Sequence, residues 1–295
     1  MKLKRFMLSL VAGVCIASTG VYSKNQESSE VTKIKNTAVK EARNDADTKR
    51  KKLAKEAVDS LEFAHEALEK LQNKEYENAI ASIEKALGKL EVILSAKESP
   101  KMLPIKSFVV VNEFIGSSDD VKKAVGSAQK LLSAGKVQQA RKTLIPLVSE
   151  IDITTVSLPL ASYPDALKLA STYIHDAKYT KAESILKIAL NTFDEDTVVI
   201  PIPLIKATDL ISAASSIAKK DKDKALMYLD AASESLKVAK ELGYVSKSTT
   251  TYKALQEKID ETKKEIKGKN RAEKLFEALK DKLADFKKKI YTPED

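Results

Sequence analysis

The sequence predicts a mostly α-helical protein made of stacked αα-hairpins, joined by short extended linkers and followed by a C-terminal helical hairpin arm. The first observation is composition: 295 residues include only eight Gly and eight Pro, and 32% are charged. Such a mixture favours helices, because straight-chain side chains lose little rotamer freedom in them. The second is that apolar residues recur at spacings of three and four. The third is a short turn sequence that occurs four times.

The repeated turn places one hairpin tip in each of four units. It reads KEYENA at 74–79, KVQQA at 136–140, KYTKA at 178–182 and, in degraded form, KDKDKA at 220–225. The alanines that follow it are separated by 61, 42 and 43 residues. A nearly constant period in the low forties indicates repeated helical hairpins of the tetratricopeptide-like (TPR-like) kind.

Residues 1–23 have the layout of a secretory signal peptide. A basic start is followed by an apolar stretch, 6–17, which is too short to span a bilayer comfortably, and then by small residues. We expect cleavage after Ser23, with Gly20 as the alternative site, and a periplasmic product. The competing interpretation is a short buried N-terminal helix.

Cys15 is the only cysteine of the chain. We do not expect a lipoprotein, because Ala12 and Val14 stand where a large aliphatic and a small residue are needed. Removal of residues 1–23 leaves no thiol or disulfide and a net charge of +6. Export argues against nucleic acid as a partner, whereas an exported basic protein can meet anionic lipid or polymer.

The rest of the chain divides into three ranges. Residues 24–52 are polar and are expected to form a mobile lead-in. Residues 53–245 hold the four hairpins, with apolar stripes at helical spacing on both sides of each turn. Residues 246–295 form a charged helical hairpin with a narrow seam, which lies against the fourth hairpin or stands off as an arm.

Proline-containing extended linkers separate the hairpins. They include LPI at 103–105, LPL at 158–160 and IPL at 202–204. We expect the three linkers to lie side by side, in a small sheet because proline suits central strands poorly. Capping signals follow two of them, at Ser117 and at Ser162 with Pro164.

No catalytic, cofactor or metal site is predicted, so we expect the protein not to be an enzyme. His65 and His175 are far apart in sequence and are interpreted as packed or surface residues. The spacing Ser-x-x-Lys occurs three times, which indicates coincidence, since its companion motifs are absent. The three pairs are Ser127 with Lys130, Ser184 with Lys187, and Ser216 with Lys219.

Two further groups of residues are candidates for binding. The acids Asp194, Glu195 and Asp196 could hold a divalent cation, but acids ahead of a linker are usually solvated. Tyr76 and Tyr179 share one repeat position, and we expect them to pack inside the hairpin tips. Binding residues are therefore not assigned. A binding surface is expected along hairpin faces or at the linkers.

Three segments within residues 53–214 together carry a resemblance to a known family. They are LPIKSFVVVN at 103–112, residues 158–160 with ALKLA at 166–170, and residues 178–190. In order, they are similar to a hydrophobic segment, the proline-led central helix and the last hairpin of the YfdX family of exported bacterial proteins. The fourth and fifth hairpins, at about 204–242 and 246–295, extend beyond the usual family length, and the family has no site residues to carry over. The resemblance implies a helical exported protein linked to envelope stress.

These expectations lead to two functions from different classes. The first is a non-enzymatic periplasmic protein with a chaperone-like or peptide- or small-ligand-binding role, whose partners are unfolded or envelope proteins. The alternative is an envelope-surface module that binds anionic lipid or polymer weakly through a basic arm. The cations of that arm are Lys263, Lys264, Lys287, Lys288 and Lys289. Neither the client nor the oligomeric state follows from the sequence.

Overall fold

Helices dominate the structure, as predicted. The computed structural model describes residues 16–19, 28–50, 55–95, 100–245, 250–268 and 272–291. Within these residues the helices are α1 (Ser29–Arg50), α2 (Lys55–Gln72), α3 (Tyr76–Leu94), α4 (Ser118–Ser133), α5 (Val137–Leu144), α6 (Tyr163–His175), α7 (Tyr179–Ala189), α8 (Ile202–Ile217), α9 (Lys222–Glu241), α10 (Thr250–Lys267) and α11 (Glu273–Tyr291). The strands are β1 (Ile16–Thr19), β2 (Met102–Phe114), β3 (Glu150–Pro159) and β4 (Asp194–Pro201).

The four predicted hairpins are all present, and their tips share a backbone design. Three tips have a residue with positive φ between the helices: Lys74 at 65°, Gly135 at 70° and Ala177 at 58°. In each tip the next amide bonds back across the turn, as Lys178 N does to Tyr173 O at 2.8 Å. This pattern ends a helix by turning the chain through the left-handed region. The degraded fourth tip instead caps α9 through the Asp221 side chain, which accepts from Lys224 N.

The predicted linkers form strands of one sheet, in the order β1-β2-β3-β4. Leu160 N donates to Lys101 O at 3.0 Å, and the Thr154 and Thr197 hydroxyls lie 2.9 Å apart. The third linker ends earlier than expected: residues 202–204 form the first turn of α8, because proline is well tolerated there.

The structure bears on two predictions about the N-terminal region. β1, inside the expected signal peptide, pairs in parallel with β2, with Ile16 opposite Val111. The other residues of 1–23 lie outside the described part. The segment 24–52, expected to be a mobile lead-in, contributes α1, in which Val31 and Ala38 are buried. The apolar stripe of α1 is narrow, so the charge-rich sequence around it did not indicate a packed helix.

The chain forms two compact units that alternate along the sequence. Unit 1 contains Met1–Ala46, Val110–Asp152 and Val198–Asp295, and unit 2 contains Asp47–Val109 and Ile153–Thr197. The unit boundaries fall within β2, β3 and β4. Neither unit follows from the predicted ranges, since each combines segments that are distant in sequence.

Unit 2 is built from two hairpins, α2–α3 and α6–α7. Helix α3 packs on α6, and α2 packs on α7. Their alanine and leucine stripes form one core, with Ile83, Leu90, Leu167 and Leu186 fully buried. Ser60 donates to the Ala86 carbonyl at 2.8 Å, which satisfies a hydroxyl inside this core.

Unit 1 places the hairpin α8–α9 at its centre. Helix α10 packs on α9 and α11 on α8, so the C-terminal hairpin lies against the fourth hairpin rather than standing off as an arm. Its seam residues, including Leu255, Ile259 and Leu279, belong to the same core as Leu229. Helix α4 also packs on α9.

Candidate functional site

The residues considered for catalysis are exposed, and the serines among them bond to their own helices. His65 and His175 are exposed, on α2 and at the end of α6. The Ser127, Ser184 and Ser216 hydroxyls donate to carbonyls of their own helices, at 2.8–2.9 Å. Those hydroxyls are therefore not paired with the lysines three residues later.

The acidic residues at the start of β4 are exposed, and Asp194, Glu195 and Asp196 lie along one strand. Successive side chains of a strand point to opposite faces, so three neighbours do not converge on one ion. Across the described residues, no group of three or more His, Cys, Asp or Glu side chains is placed to hold a metal ion.

Exposed apolar residues are concentrated on the α4–α5 hairpin of unit 1. The exposed fractions are 48% for Leu132, 57% for Val137, 39% for Leu144 and 57% for Ile145. Ala140 is the buried residue of α5. We call these four apolar residues, with the cations Lys130, Lys136, Arg141 and Lys142, the α4–α5 surface.

The packing of α4 explains why its last turn is exposed. Val121 and Val125 lie in a cluster with Val238 of α9, and the Ser118 amide donates to the Glu234 carboxylate at 2.8 Å. The same helix face continues to Leu132, since residues four apart lie above one another. Leu132 lies in the last turn of α4, beyond this cluster, and its side chain is 48% exposed.

The start of α4 is fixed by a capping box, as the sequence predicted. Ser117 Oγ accepts from Asp120 N at 3.3 Å, and Asp120 Oδ2 accepts from Ser117 N at 2.9 Å. The Ser117 hydroxyl also donates to Asp120 Oδ2 at 2.7 Å, and this bond, together with the one from Ser117 N, holds the pKa of Asp120 below its usual value. The prediction of a corresponding capping box at Ser162 is wrong. Ser162 forms no side-chain cap, although Pro164 stands in the first turn.

Comparison of the repeats shows that, among the described helices, α5 lacks a cover that its counterparts have. Four residues after the repeat alanine stand Ile83, Leu186 and Leu229, and all three are 0% exposed. They are covered because α6 packs on α3, α2 on α7 and α10 on α9. Leu144 occupies the same position in α5 and is 39% exposed.

Val137 marks a second open repeat position. It stands three residues before the repeat alanine, where Tyr76 and Tyr179 stand in α3 and α7. Those two rings stack on each other within unit 2. Val137 is 57% exposed instead, so the tip of α5 is open as well.

From residue 121 onward, every charged side chain of this hairpin is positive. Residues 121–148 contain six Lys or Arg and no Asp or Glu. Lys122 pairs with Asp119 at 3.2 Å. Lys130, Lys136, Arg141 and Lys142 are exposed and form no ion pair with a described residue. The α4–α5 surface thus combines apolar side chains with unneutralised cations.

A partly buried carboxyl group lies elsewhere in unit 1. The Tyr244 hydroxyl accepts a hydrogen bond from Ser149 N at 2.8 Å, next to Glu150 and Asp152. One Asp152 oxygen is buried without a hydrogen bond. Burial, assisted by the charge of Glu150, raises the pKa of Asp152 to about 6. Burial also raises the pKa of Tyr244.

The basic arm expected at the C-terminus is partly neutralised. Lys263 Nζ lies 2.5 Å from Asp230 and 3.8 Å from Asp260. Lys264 is exposed. The side chains of Lys287, Lys288 and Lys289 lie outside the described part.

Sequence reasoning located hairpin faces as the place for a binding surface but did not select α5. The pattern Ala140–Leu144 looks the same as Ala182–Leu186, which is buried. One signal could have distinguished them: the acid-free stretch of 28 residues at 121–148, in a chain whose charges are otherwise interspersed.

Comparison with protein families agrees with the resemblance seen in the sequence. Residues 61–199 match the family model described as "YfdX protein". A solved structure of YfdX from Salmonella Typhi is 16% identical, and the match covers 51% of this chain and 93% of that one, with a TM-score of 0.35. No curated protein matches the chain. Among the described helices, none has both the length and the apolar content to cross a membrane.

Proposed function

Because residues 61–199 match the YfdX family, we propose that this chain is an exported, non-enzymatic binding protein with a chaperone-like role in the periplasm. Its working part is the α4–α5 surface, which holds apolar segments of unfolded or envelope proteins. Envelope stress is the condition under which such segments become exposed.

One observation carries the proposal: a repeat position that is 0% exposed in three hairpins is 39% exposed at Leu144. Leaving Leu144 uncovered costs the folded chain part of the burial free energy that Leu186 and Leu229 contribute. Exposed apolar side chains that are concentrated on one element and accompanied by charge commonly mark an interaction site. Cations around the patch keep the free protein soluble and attract acidic clients.

The first residues support the export part of the proposal. A basic start, a short apolar stretch and small residues precede the expected cleavage after Ser23. Cleavage there removes β1 from the edge of β2. Mass spectrometry of the protein purified from a periplasmic extract tests this step, and retention of residues 1–23 in that extract contradicts it.

Aggregation of reduced insulin tests the chaperone-like role. Dithiothreitol releases the aggregating B chain and leaves this protein unchanged, because its single cysteine, Cys15, departs with the signal peptide. We expect suppression of light scattering at roughly stoichiometric amounts, since each client segment occupies one surface. Absence of suppression at severalfold excess overturns the proposal.

Matched variants connect the activity to the surface. Leu144→Gln and Val137→Ser should weaken the suppression. Ile188→Gln serves as the control, because Ile188 is 60% exposed on α7 and lies outside the α4–α5 surface. An equal loss in all three variants contradicts the assignment to α5.

The alternative function, docking of the C-terminal arm on anionic lipid or polymer, has weaker support. Lys263 already has carboxylate partners in Asp230 and Asp260. Co-sedimentation with phosphatidylglycerol vesicles distinguishes the two functions: Lys264→Glu should leave vesicle binding unchanged if the arm is not used.

A further inference from the structure

We propose that the α4–α5 surface docks one acidic amphipathic helix of a partner protein. This helix takes the place that a helix of another hairpin takes on each of the other three repeats. The inference rests on the proposed function, since it names the partner class of the same surface. Three properties of the hairpin support it: the repeat geometry, the charge and the length of α5.

The repeat geometry indicates that the missing cover is a helix. The counterparts of Leu144 are Ile83, Leu186 and Leu229, all 0% exposed, and a helix of another hairpin packs on the helix that carries each of them. The side chains of α5 follow the same three-and-four spacing, so they present the same ridges and grooves. A helix with apolar residues at i, i+3, i+4 and i+7 fits such a surface.

The charge indicates that this helix is acidic. Four exposed cations of the α4–α5 surface have no ion pair with a described residue. In unit 2 the tips are joined by complementary groups, as where Gln72 Nε2 donates to Glu183 Oε1 at 2.9 Å. Carboxylates beside the apolar stripe of the partner would supply the complement that α5 lacks.

The same charge argues against a second copy of this chain as the cover. A two-fold contact brings each surface against itself. Lys136 and Arg141 of one copy would then meet the cations of the other, with no carboxylate in residues 121–148 to separate them. Like charges placed opposite each other in an interface oppose association.

The length of the surface sets the size of the contact. The eight residues of α5 span about 12 Å, or a little more than two turns of helix. A contact of this size is small and is suited to transient binding. Binding should therefore depend strongly on salt, because exposed charges supply much of it.

The test uses the full chain and synthetic peptides followed by fluorescence anisotropy. The probe is a labelled helical peptide of about 18 residues, long enough to form helix in water, with Leu at the four stripe positions and Glu beside them. A second peptide carries Lys in place of Glu. With about four charge pairs in question, the acidic peptide should bind about tenfold more tightly than the basic one.

Variants separate the apolar and charged contributions. Leu144→Gln with Val137→Ser should weaken binding of the acidic peptide about tenfold, and Ile188→Gln should leave it unchanged. Arg141→Gln with Lys142→Gln should reduce the dependence of binding on salt. Circular dichroism melts of all variants show whether each remains folded.

Any of three other results overturns the inference. Equal binding of the acidic and basic peptides removes the charge complement. An oligomer of the chain that dissociates in the Leu144→Gln, Val137→Ser variant identifies a second copy as the cover. Phosphatidylglycerol vesicles that bind through the same residues, while the peptide does not, identify a membrane surface.

The two proposals fail in different ways. If reduced insulin is protected through Leu144 but the peptides bind equally, the chaperone-like role stands and the acidic helix does not. If the acidic peptide binds selectively but insulin aggregates unchecked, the docking site stands and the chaperone-like role fails.

Discussion

The rings of Tyr76 and Tyr179 stack face to face, with centroids 3.7 Å apart and planes inclined by 3°. Each tyrosine begins the second helix of its hairpin, so the stack joins the two tips of unit 2. Gln72 and Glu183 join the same hairpins beside it. The repeat position that the sequence marked as structural is thus a contact between repeats.

This stack should contribute coupling energy beyond the burial of the rings. We expect a double-mutant cycle of Tyr76→Leu and Tyr179→Leu to give about 1 kcal/mol of coupling, the range measured for aromatic pairs. Urea unfolding of the single and double variants measures it. Simple additivity of the two losses would show that the rings contribute only area.

The positive φ of two non-glycine tip residues should cost stability. Replacement Ala177→Gly or Lys74→Gly should raise the free energy of unfolding by about 1 kcal/mol, because L-residues are strained in the left-handed region. Gly135→Ala, whose added Cβ meets nothing within 4 Å, should lower it by a similar amount. Chemical unfolding compares the three, and the same sign for all of them contradicts the turn geometry.

Equivalent repeat positions should respond unequally to truncation. Leu186→Ala and Leu229→Ala should cost about 2–5 kcal/mol, since each leaves a cavity in a core. Leu144→Ala should cost less than about 1 kcal/mol, because its side chain is already partly in water. Thermal and urea unfolding test the contrast. A loss at Leu144 as large as that at Leu186 would mean that α5 is covered.

The carboxyl of Asp152 should make the stability of unit 1 depend on pH. Its pKa is about 6 in the fold, above the ordinary 3.8, so the folded chain holds its proton more tightly than the unfolded chain. The free energy of unfolding should therefore fall as pH rises from about 4 to about 6 and then level off. Partial exposure and solvent screening limit the effect to about 1 kcal/mol.

Asp152→Asn removes this titration. The variant should be more stable than the parent at neutral pH and equal to it near pH 4, as measured by urea unfolding across the range. Glu150→Gln should show a smaller change in the same direction, because its charge is the lesser cause of the shift. An unchanged pH dependence in Asp152→Asn contradicts the assignment.

Deletion of residues 247–295 should damage unit 1 rather than remove an independent arm. Leu255, Ile259 and Leu279 share a core with Leu229, so the deletion exposes a large apolar area on α8 and α9. We expect increased binding of an apolar dye and a lower melting temperature. A truncated chain that melts like the full one contradicts this packing.

The sequence predicted what local periodicity determines and missed what distant pairing determines. Stripes such as Ala79–Ile83–Ala86–Leu90 identified the hairpins, because each helix needs one apolar face whatever covers it. The same stripes did not show which face lacks a cover, so Leu144 could not be told from Leu186. α1 was missed because Val31 and Ala38 are too few to outweigh the charges around them.

The candidate surface was predicted only in kind. The charges of the chain are mostly interspersed, and this overall pattern conceals the acid-free stretch around Arg141. The two-unit organisation was also out of reach, because the strands that carry the unit boundaries pair residues far apart in the chain. Such pairing depends on the whole fold rather than on any window of sequence.

The contact between α1 and α9 affects the order in which the protein can fold during synthesis. Glu30 accepts hydrogen bonds from Lys224 at 2.7 Å and from Tyr228 at 3.2 Å, across 194 and 198 residues. Val31 beside it enters a core completed by α10 and α11. These contacts of Glu30 and Val31 therefore form only after the ribosome has made most of the chain. Contacts of such long sequence separation form slowly, because a long loop must close before they are made.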